Sequence, residues 1–355
     1  MSPRMSDASP RTSTAREPLI VRDRPFLRIT WTEPDGQSAG LTVAETIAAR
    51  YHVEDLLAPG GGSVLLRARD LRTRKSVVIK GLRSDLLSVP GSESDPIASL
   101  TRSIRRARHM LQAERRLLVR LRNAGCNDVP IPDDYVYDLN PALREGAVRL
   151  DDVLIETEPY LVLQELSGVL LDDLLRDEYP NGLDERQALA WIAPVVRTLE
   201  VLHEPWRLKG GRTWHCIYQD LKPANIMIDP LGRPTLLDFG GCQVVVDGVP
   251  VLEGACTMGY CAPECEGPSV RVLLPCADVY GIGSTLYHML TGEDPRDRRA
   301  RWRGRPGGHL DPRALPPRCS PGVRRLLERC LAPRPSERLA DAGQVGRALA
   351  TLIGA

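Results

Sequence analysis

The sequence lacks the features that mark several large classes of protein. Its 47 basic and 46 acidic residues leave a net charge of +1, so the overall charge favours neither nucleic acid nor an anionic membrane as a partner. No apolar run approaches the length of a membrane span, and no signal peptide opens the chain. We therefore expect no nucleic-acid partner and no membrane partner, and the oligomeric state is left open.

The spacing of the cysteines excludes further classes. The nine cysteines contain no C-x-x-C pair, which argues against a zinc ribbon and against a disulfide framework. A reducing, cytoplasmic setting fits this pattern best. With 42% hydrophobic and 26% charged residues over 355 positions, the composition is that of a globular protein with one large or two modest domains.

The order of the predicted elements indicates an α+β fold with two lobes. Residues 1–24 are rich in Ser, Pro, Arg and Thr and are predicted to be a disordered tail, and residues 25–50 form an N-terminal extension with one possible hairpin. Residues 51–166 are mostly strand-like, interrupted by the basic helix "LTRSIRRARHMLQAERRLLVRL". Residues 167–355 are mainly helical. This pattern predicts a strand-rich N-lobe and a helical C-lobe, with a ligand cleft at their junction.

The helical part has clear boundaries in the sequence. The segment "LDERQALAWIAPVVRTLEVLH" opens with a capping box formed by Asp184 and Gln187, and Pro194 is expected to kink or break the helix. Further helices are predicted in "CADVYGIGSTLYHMLTG", "PGVRRLLERCL" and "LADAGQVGRALATLI".

A polar loop between two apolar segments, "CIYQDLKPANIMI", carries the residues that phosphoryl transfer requires. That reaction passes through a loose, highly charged transition state, so an enzyme must position the groups and offset their charge. Asp220 can face an acceptor hydroxyl, Lys222 can lie beside the transferred group, and Asn225 can bind a metal ion. An Asp/Asn pair alone is more often turn chemistry. Here it is joined by Asp238 in "LLDFGG" and by Lys80 at the end of "VVIK".

These motifs, in this order, resemble the eukaryotic-like serine/threonine protein kinases that are common in bacteria, from about Tyr51 to the C-terminus. The resemblance implies that Lys80, oriented by Glu114, holds the α- and β-phosphates of ATP. Asp220 and Lys222 match the catalytic loop. Asn225 and Asp238 match the ligands of Mg²⁺, or of Mn²⁺ in its place. The other positions that match the nucleotide site are Ala58, Gly60, Gly61, Gly62, Ser63 and Leu65 in the phosphate-covering loop, and Gln164 and Leu166 in the hinge.

The resemblance also implies a protein substrate. Thr257 and the run Ala262–Glu264 match the segment that lines the peptide groove. Asp278 matches the acid that holds the catalytic loop from below, and Arg338 matches the partner of Glu264.

The chain departs from the family pattern in its phosphate-covering loop. The family commonly has G-x-G-x-x-G-x-V, whereas "APGGGSVL" places Ala58, Gly60, Ser63 and Leu65 at the four positions. Gly61 and Gly62 still permit the backbone to approach a phosphate.

A second departure concerns regulation. The family commonly has His-Arg-Asp where this chain has Tyr218-Gln219-Asp220, so the cation that receives a phosphorylated activation loop is absent. The loop from Gly241 to Cys256 contains no Ser, Thr or Tyr. Both halves of the phosphorylation switch are missing together, which predicts activity that is independent of activation-loop phosphorylation.

Three stretches are longer than the family pattern. Lys80 and Glu114 are 34 positions apart, and the extra residues around "SVPGSESDPIAS" are predicted to form a flexible loop. "NPALREGAVRL" and "EPWRLKGGRTW" are the other two insertions.

Two clusters each leave two interpretations open. Eight arginines lie from Arg102 to Arg122, and six from Arg296 to Arg305. They are interpreted either as solvated faces and a basic loop or as docking sites for an acidic substrate. Cys256, Cys261 and Cys265 surround the substrate segment, either as small buried hydrophobic residues or as points of redox control.

Three functions remain in competition. An ATP-dependent protein serine/threonine kinase accounts for the complete set of charged residues. A nucleotide-binding pseudokinase or scaffold is favoured by the altered glycine loop and by "YQD". A small-molecule kinase of related fold is the third, and Thr257, Asp278 and Arg338 argue against it.

Overall fold

The computed structural model describes residues 18–33, 36–59, 62–83, 96–139, 149–150, 153–154, 157–207, 210–252, 254, 256–266, 273–302 and 308–354. These residues form two compact units. The first lies within residues 11–119 and 130–166, and the second is built from residues 120–129 and 167–355.

The first unit consists of antiparallel strands and one long helix. A three-stranded sheet contains β1 (Leu19–Asp23), β2 (Phe26–Thr32) and β3 (Ser38–Ala44). A six-stranded sheet follows in the order β4-β5-β6-β7-β11-β8, with β4 (Thr46–Ile47), β5 (Tyr51–Pro59), β6 (Ser63–Asp70), β7 (Ser76–Leu82), β8 (Pro132–Leu139) and β11 (Thr157–Gln164). Helix α1 (Pro96–Asn123) connects β7 to β8, and its last four residues belong to the second unit. A separate short ladder pairs β9 (Arg149–Leu150) with β10 (Val153–Leu154).

The two larger sheets of the first unit share one apolar core. Buried side chains alternate along β2 and β6, as a strand with one covered face requires. Leu27, Ile29 and Trp31 of β2 belong to the same buried cluster as Leu66 of β6 and Ile79 of β7. The N-terminal extension is therefore part of the core of this unit.

The three-stranded sheet of β1, β2 and β3 corrects the prediction for the N-terminal region. The expected tail ended at residue 24 and was followed by one hairpin, whereas β1 already begins at Leu19 and three strands form. Leu19 and Val21 are exposed, so β1 has little apolar burial of its own to reveal it in the sequence.

The second unit contains the remaining helices and two small sheets. Its helices are α2 (Leu171–Asp177), α3 (Glu185–His203), α4 (Cys276–Thr291), α5 (Pro295–Arg301), α6 (Pro321–Cys330) and α7 (Ala342–Ile353). Its sheets are β12-β15-β16 and β13-β14-β17-β18, built from β12 (Val169–Leu170), β13 (Trp206–Arg207), β14 (Thr213–Ile217), β15 (Ile226–Ile228), β16 (Pro234–Leu236), β17 (Gln243–Val246) and β18 (Val249–Leu252). α3 packs against α4 and α7, and almost every residue of α4 is buried. Among the described residues, no helix has both the length and the apolar character that crossing a bilayer requires.

Helix α3 confirms the predicted cap and has no break at Pro194, so that of the two expected effects of this proline only a kink stays a prediction. The Asp184 carboxylate accepts a hydrogen bond from the backbone N–H of Gln187 at 3.0 Å. The helix continues through Pro194 to His203. Ile192, Val196 and Leu199 are fully buried, so tertiary packing outweighs the backbone hydrogen bond that proline removes.

The second arginine cluster is partly helical, where a basic loop was one expectation. Arg296, Arg298 and Arg299 lie on α5 and form ion pairs with Asp294, Glu293 and Glu266, respectively. Because neighbouring acids take up these guanidinium groups, α5 offers less free positive charge for an acidic substrate than the sequence suggests.

Candidate active site

The predicted lysine–glutamate pair forms inside the first unit. The Lys80 Nζ atom lies 2.9 Å from Oε1 and 2.8 Å from Oε2 of Glu114, and the two side chains are only 6% and 3% exposed. Lys80 sits on β7 between two strands, opposite Leu65 of β6 and Leu161 of β11. Glu114 is therefore the buried partner of a strand lysine and not a residue of the solvated helix surface.

The catalytic loop of the second unit is fixed through its backbone. The buried Asp278 carboxylate accepts hydrogen bonds from the backbone N–H groups of Tyr218 and Gln219, both at 2.7 Å. His203 Nε2 lies 2.8 Å from the same carboxylate. Gln219 has a φ of +69°, a strained conformation for a residue with a side chain. These contacts hold that conformation and confirm the predicted place of Asp278 beneath the loop.

Three polar side chains meet at Asp220. The Lys222 ammonium donates to Asp220 Oδ2 at 2.7 Å, and the Thr257 hydroxyl donates to Asp220 Oδ1 at 2.6 Å. Lys222 also donates to the Thr257 hydroxyl at 2.6 Å. The Asn225 amide nitrogen donates to the Asp220 carbonyl at 2.8 Å and to its carboxylate at 3.2 Å. The site thus presents one carboxylate, partly exposed, with its orientation set by three donors.

Asp238 lies directly after the neighbouring strand β16. Its φ of +48° is left-handed, and its carboxylate accepts a hydrogen bond from the Gly240 N–H at 3.1 Å. The backbone N–H of Leu237 donates to the Asn225 carbonyl at 2.8 Å, which ties the segment before Asp238 to the catalytic loop. The Tyr218 ring packs edge-on against Phe239 at 5.4 Å between centroids.

The donor set fits Mg²⁺. The Asn225 amide nitrogen faces Asp220, so the amide oxygen is directed away from that carboxylate, and Asp238 supplies carboxylate oxygen. Mg²⁺ prefers oxygen ligands, and it commonly keeps waters and substrate phosphates in its shell. Within the described ranges, no group of three or more His, Cys, Asp or Glu side chains forms a cage for a metal.

The residues predicted to bind the nucleotide lie in the first unit. Ala58 of β5 pairs with Leu65 of β6, and Ser63 begins β6. Gly62 is described, and a Cβ atom added there would meet no atom within 4 Å. Gly60 and Gly61 lie outside the described residues.

The two predicted hinge residues follow one another closely in the chain. Gln164 ends β11, and its backbone N–H donates to the Ile131 carbonyl at 2.9 Å. Leu166 comes two residues later and is half-buried. Of the predicted insertions, residues 84–95 and 140–148 are outside the described residues.

The activation loop has a structure that the sequence analysis did not predict. β17 and β18 form a hairpin, and β17 pairs with β14 immediately before the catalytic loop. The turn consists of Asp247 and Gly248, with φ values of +49° and +78°. An Asp-Gly pair between β-branched residues is a strong hairpin signal, so this element was detectable in "VVVDGVPVL".

The third insertion supplies the other edge of that sheet. β13 pairs with β14, and the rings of Trp206 and Trp214 pack edge-on with their centroids 4.5 Å apart. The Arg120 guanidinium lies 3.7 Å from the centroid of the Trp206 ring. This insertion is therefore partly a strand pair with an aromatic contact.

A close contact between Gln219 and Gly254 is another feature that the sequence analysis did not predict. A Cβ atom added to Gly254 would lie 1.4 Å from the Gln219 Oε1 atom and 2.5 Å from the Gly241 carbonyl oxygen. Only glycine permits this approach of the activation loop to the catalytic loop. Gln219 stands where the family commonly has arginine, and the backbone of the activation loop covers it. In the family pattern, that arginine binds the activation loop through a phosphate.

The predicted pair at the base of the substrate segment is present. The Arg338 side chain is fully buried and donates to both carboxylate oxygens of Glu264, at 2.7 Å and 2.8 Å. The same guanidinium lies 5.1 Å from the centroid of the Tyr280 ring. Bidentate pairing of this kind fixes orientation as well as charge.

Comparison with known proteins agrees with this geometry. The family model "Protein kinase domain" matches residues 140–347, which is more than half of the chain. The serine/threonine-protein kinase PknB of Mycobacterium leprae is 28% identical over 262 residues, which are 72% of this chain and 34% of the relative. PknB of Mycobacterium tuberculosis is 29% identical over 260 residues, with the same coverage of 72% and 34%.

A longer match is found with the serine/threonine-protein kinase PknA of Mycobacterium tuberculosis, which is 28% identical over 323 residues, 87% of this chain and 63% of the relative. The chain thus spans about a third of the length of the PknB relatives. Lys80 and Glu114 precede the range that the family model matches. The matched range and the relatives together show that this chain belongs to the protein kinase family, and that it resembles the bacterial serine/threonine members.

Proposed function

We propose that this protein transfers the γ-phosphate of ATP to serine and threonine hydroxyls of a protein substrate. The observation that carries this proposal is the meeting of Lys222, Thr257 and Asn225 around the Asp220 carboxylate. Asp220 accepts the proton of the substrate hydroxyl as the hydroxyl oxygen bonds to the γ-phosphorus. The bond from that phosphorus to the β,γ-bridging oxygen breaks, and ADP leaves. Lys222 lies beside the same carboxylate and offsets negative charge on the transferred group.

Asp238 and Asn225 supply the metal ligands in this proposal. The carboxylate of Asp238 and the amide oxygen of Asn225 would hold Mg²⁺, or Mn²⁺ in its place, and the ion would supply positive charge against the ATP phosphates. The hydrogen bond from Leu237 to the Asn225 carbonyl keeps these two ligands in register.

The first unit carries the other residues that match the family's nucleotide site. Lys80, positioned by Glu114, offsets charge on the α- and β-phosphates of ATP, as the family resemblance implies. Residues 58–65 cover the phosphates, and the backbone around Gln164 and Leu166 binds adenine. The strand-rich unit then corresponds to the N-lobe and the helical unit to the C-lobe of a two-lobed kinase.

We also propose that activity does not depend on phosphorylation of the activation loop. The β17–β18 hairpin pairs with β14, and Gly254 lies against Gln219, so backbone contacts hold this segment where other members of the family use a phosphate. Gln219 is neutral and offers no site for that phosphate.

Replacing Gly254 by alanine tests this proposal. Because the new Cβ would overlap the Gln219 amide and the Gly241 carbonyl, the loop must move, and we expect about a 10- to 100-fold loss of kcat/KM. Gly346→Ala on α7 is the matched control, since the nearest atom to its new Cβ is 3.7 Å away. Wild-type activity in Gly254→Ala would contradict the role of this contact.

The activity itself is tested with labelled γ-phosphate from Mg-ATP, a generic basic protein as acceptor, and Asp238→Ala alongside. We expect phosphoserine or phosphothreonine that disappears in Asp238→Ala, and the same rate after phosphatase treatment of the enzyme. A fall in rate after that treatment would overturn independence from phosphorylation. An absence of label while ATP still raises the melting temperature would favour the pseudokinase.

A further inference from the structure

The N-terminal extension places an acidic side chain beside the end of the strand that carries Lys80. Glu33 directly follows β2, and its carboxylate lies 2.8 Å from the guanidinium of Arg83, the first residue after β7. The Arg83 side chain is only 5% exposed, whereas that of Glu33 is 26% exposed. Burying a guanidinium is unfavourable unless an acid lies close to it, so Glu33 stabilises Arg83 in this position.

Trp31 of β2 contacts both members of this pair. The Arg83 guanidinium lies 5.0 Å from the centroid of the Trp31 ring, and the Trp31 indole N–H donates to the Glu33 carboxylate at 2.9 Å. Trp31 is itself buried in the apolar core that β2 shares with the six-stranded sheet. The ion pair is therefore anchored to the core of the first unit, unlike a pair of two exposed side chains.

Arg83 is in turn bonded to the phosphate-covering loop. Its backbone N–H donates to the Gly62 carbonyl at 3.3 Å, directly beyond the paired residues Ser63 of β6 and Leu82 of β7. Gly62 ends a run of three glycines. Glycine has more backbone freedom than any other residue, so such a run loses much conformational entropy when it closes over a ligand. A hydrogen bond that already orders Gly62 makes this loss smaller when ATP binds.

We propose that Glu33 is a positioning residue for the nucleotide site, because through Arg83 it holds Gly62 in place and so raises the affinity for the phosphates of ATP. The N-terminal extension then offsets part of what the altered glycine loop loses. This inference rests on the nucleotide site proposed above, whereas the contacts among Glu33, Arg83 and Gly62 do not.

Glu33→Gln tests the proposal, because it keeps the size of the side chain and removes the charge that faces Arg83. Binding of Mg-ATP and of adenosine to the full chain is measured by isothermal titration calorimetry. We expect Kd for ATP to rise about tenfold, as the loss of roughly one charge-assisted hydrogen bond predicts. Kd for adenosine should not change, because adenosine has no phosphate for the loop to cover. An equal rise for both ligands would indicate general damage to the first unit and overturn the proposal.

Glu45→Gln is the matched control. Glu45 directly follows β3 in the same extension, and it pairs at 2.8 Å with Arg22, whose side chain is 45% exposed. This variant should bind ATP as tightly as wild type does.

A double variant tests whether Glu33 acts through Arg83. Arg83→Met removes the guanidinium and keeps the backbone N–H that bonds to Gly62. Glu33→Gln/Arg83→Met should therefore bind ATP as tightly as Arg83→Met alone. Additive losses in the double variant would contradict the path through Arg83.

Amide hydrogen exchange without nucleotide tests the contact by itself. In the peptide that contains Arg83, exchange should be about tenfold faster in Glu33→Gln than in wild type, and it should not change in Glu45→Gln. Unchanged exchange in Glu33→Gln overturns the positioning. Faster exchange with an unchanged Kd for ATP overturns its effect on the nucleotide. A wild type that binds ATP without transferring phosphate overturns the proposed function alone, since the ratio of the ATP affinities still decides this inference.

Discussion

Asp220→Asn should lower kcat for phosphoryl transfer by about 10²- to 10⁴-fold, the usual contribution of a positioned general base. The amide cannot accept the proton of a substrate hydroxyl. Asp220 accepts hydrogen bonds from Lys222 and Thr257 on two different oxygens. An asparagine side chain cannot do so, because it has one acceptor oxygen and its nitrogen is a donor. KM for ATP should change little, since the carboxylate faces the acceptor. Steady-state kinetics with varied ATP separates the two constants.

The control for this variant is Asp177→Asn. Asp177 pairs with Arg176 at the exposed end of α2, so the same loss of charge occurs away from the site. Its kcat should remain at the wild-type value. A melting temperature for Asp220→Asn near that of wild type establishes that the fold survives. If Asp220→Asn then transfers phosphate as fast as Asp177→Asn, that result would falsify the assignment of Asp220.

Lys80→Met should have two large effects at once. It removes the cation that offsets charge on the α- and β-phosphates. We expect this loss to lower kcat by about 10²- to 10³-fold. It also leaves the Glu114 carboxylate in a buried site without the ammonium that lies 2.8 Å away. Breaking a buried ion pair on one side costs about 3–5 kcal/mol in the free energy of unfolding.

A second substitution separates these effects. In Lys80→Met/Glu114→Leu the buried charge is gone, and apolar side chains of similar volume fill the space, so most of the lost stability should return. Transfer should stay low, because the lysine is still missing. Chemical denaturation and the transfer assay on the two single variants and the double variant complete the cycle.

Arg69→Met provides the matched control on the neighbouring strand. Arg69 pairs with Glu54, but the two side chains are 50% and 29% exposed, so the stability change should stay below about 1 kcal/mol. An equally small loss in Lys80→Met would show that the Lys80–Glu114 pair is not buried in solution. Recovered transfer in the double variant would remove Lys80 from the proposed mechanism.

The candidate site was largely predictable from the sequence because its residues lie in short, ordered motifs. Asp220, Lys222 and Asn225 fall within six residues of one loop, and the geometry of that loop is local. The role of Asp278 was expected from the family pattern, and its two hydrogen bonds to the loop backbone confirm it. The cap of α3 was likewise readable, since an N-cap involves only a few neighbouring residues.

Other features were misjudged because local rules compete with packing. Pro194 disfavours a helix interior, yet α3 continues because its neighbours fill the core. Arginines between residues 296 and 305 suggested a basic loop, yet the capping carboxylate of Asp294 accepts from the Arg296 N–H and starts α5. Exposed β1 carried no apolar alternation, so only its pairing with β2 reveals it.

The identity of the chemical groups at the candidate site follows from the sequence alone: the carboxylate of Asp220, the polar side chains of Asn225 and Asp238, a strand lysine, and an activation loop without a hydroxyl. Tertiary structure decided which of these groups are buried, paired or covered. Whether Glu114 is a surface residue or the partner of Lys80 depends on how helix α1 packs, and sequence periodicity cannot reveal that across 34 positions. The contact of Gly254 with Gln219 has the same origin, because close approach of two segments is set by the packing of the whole unit.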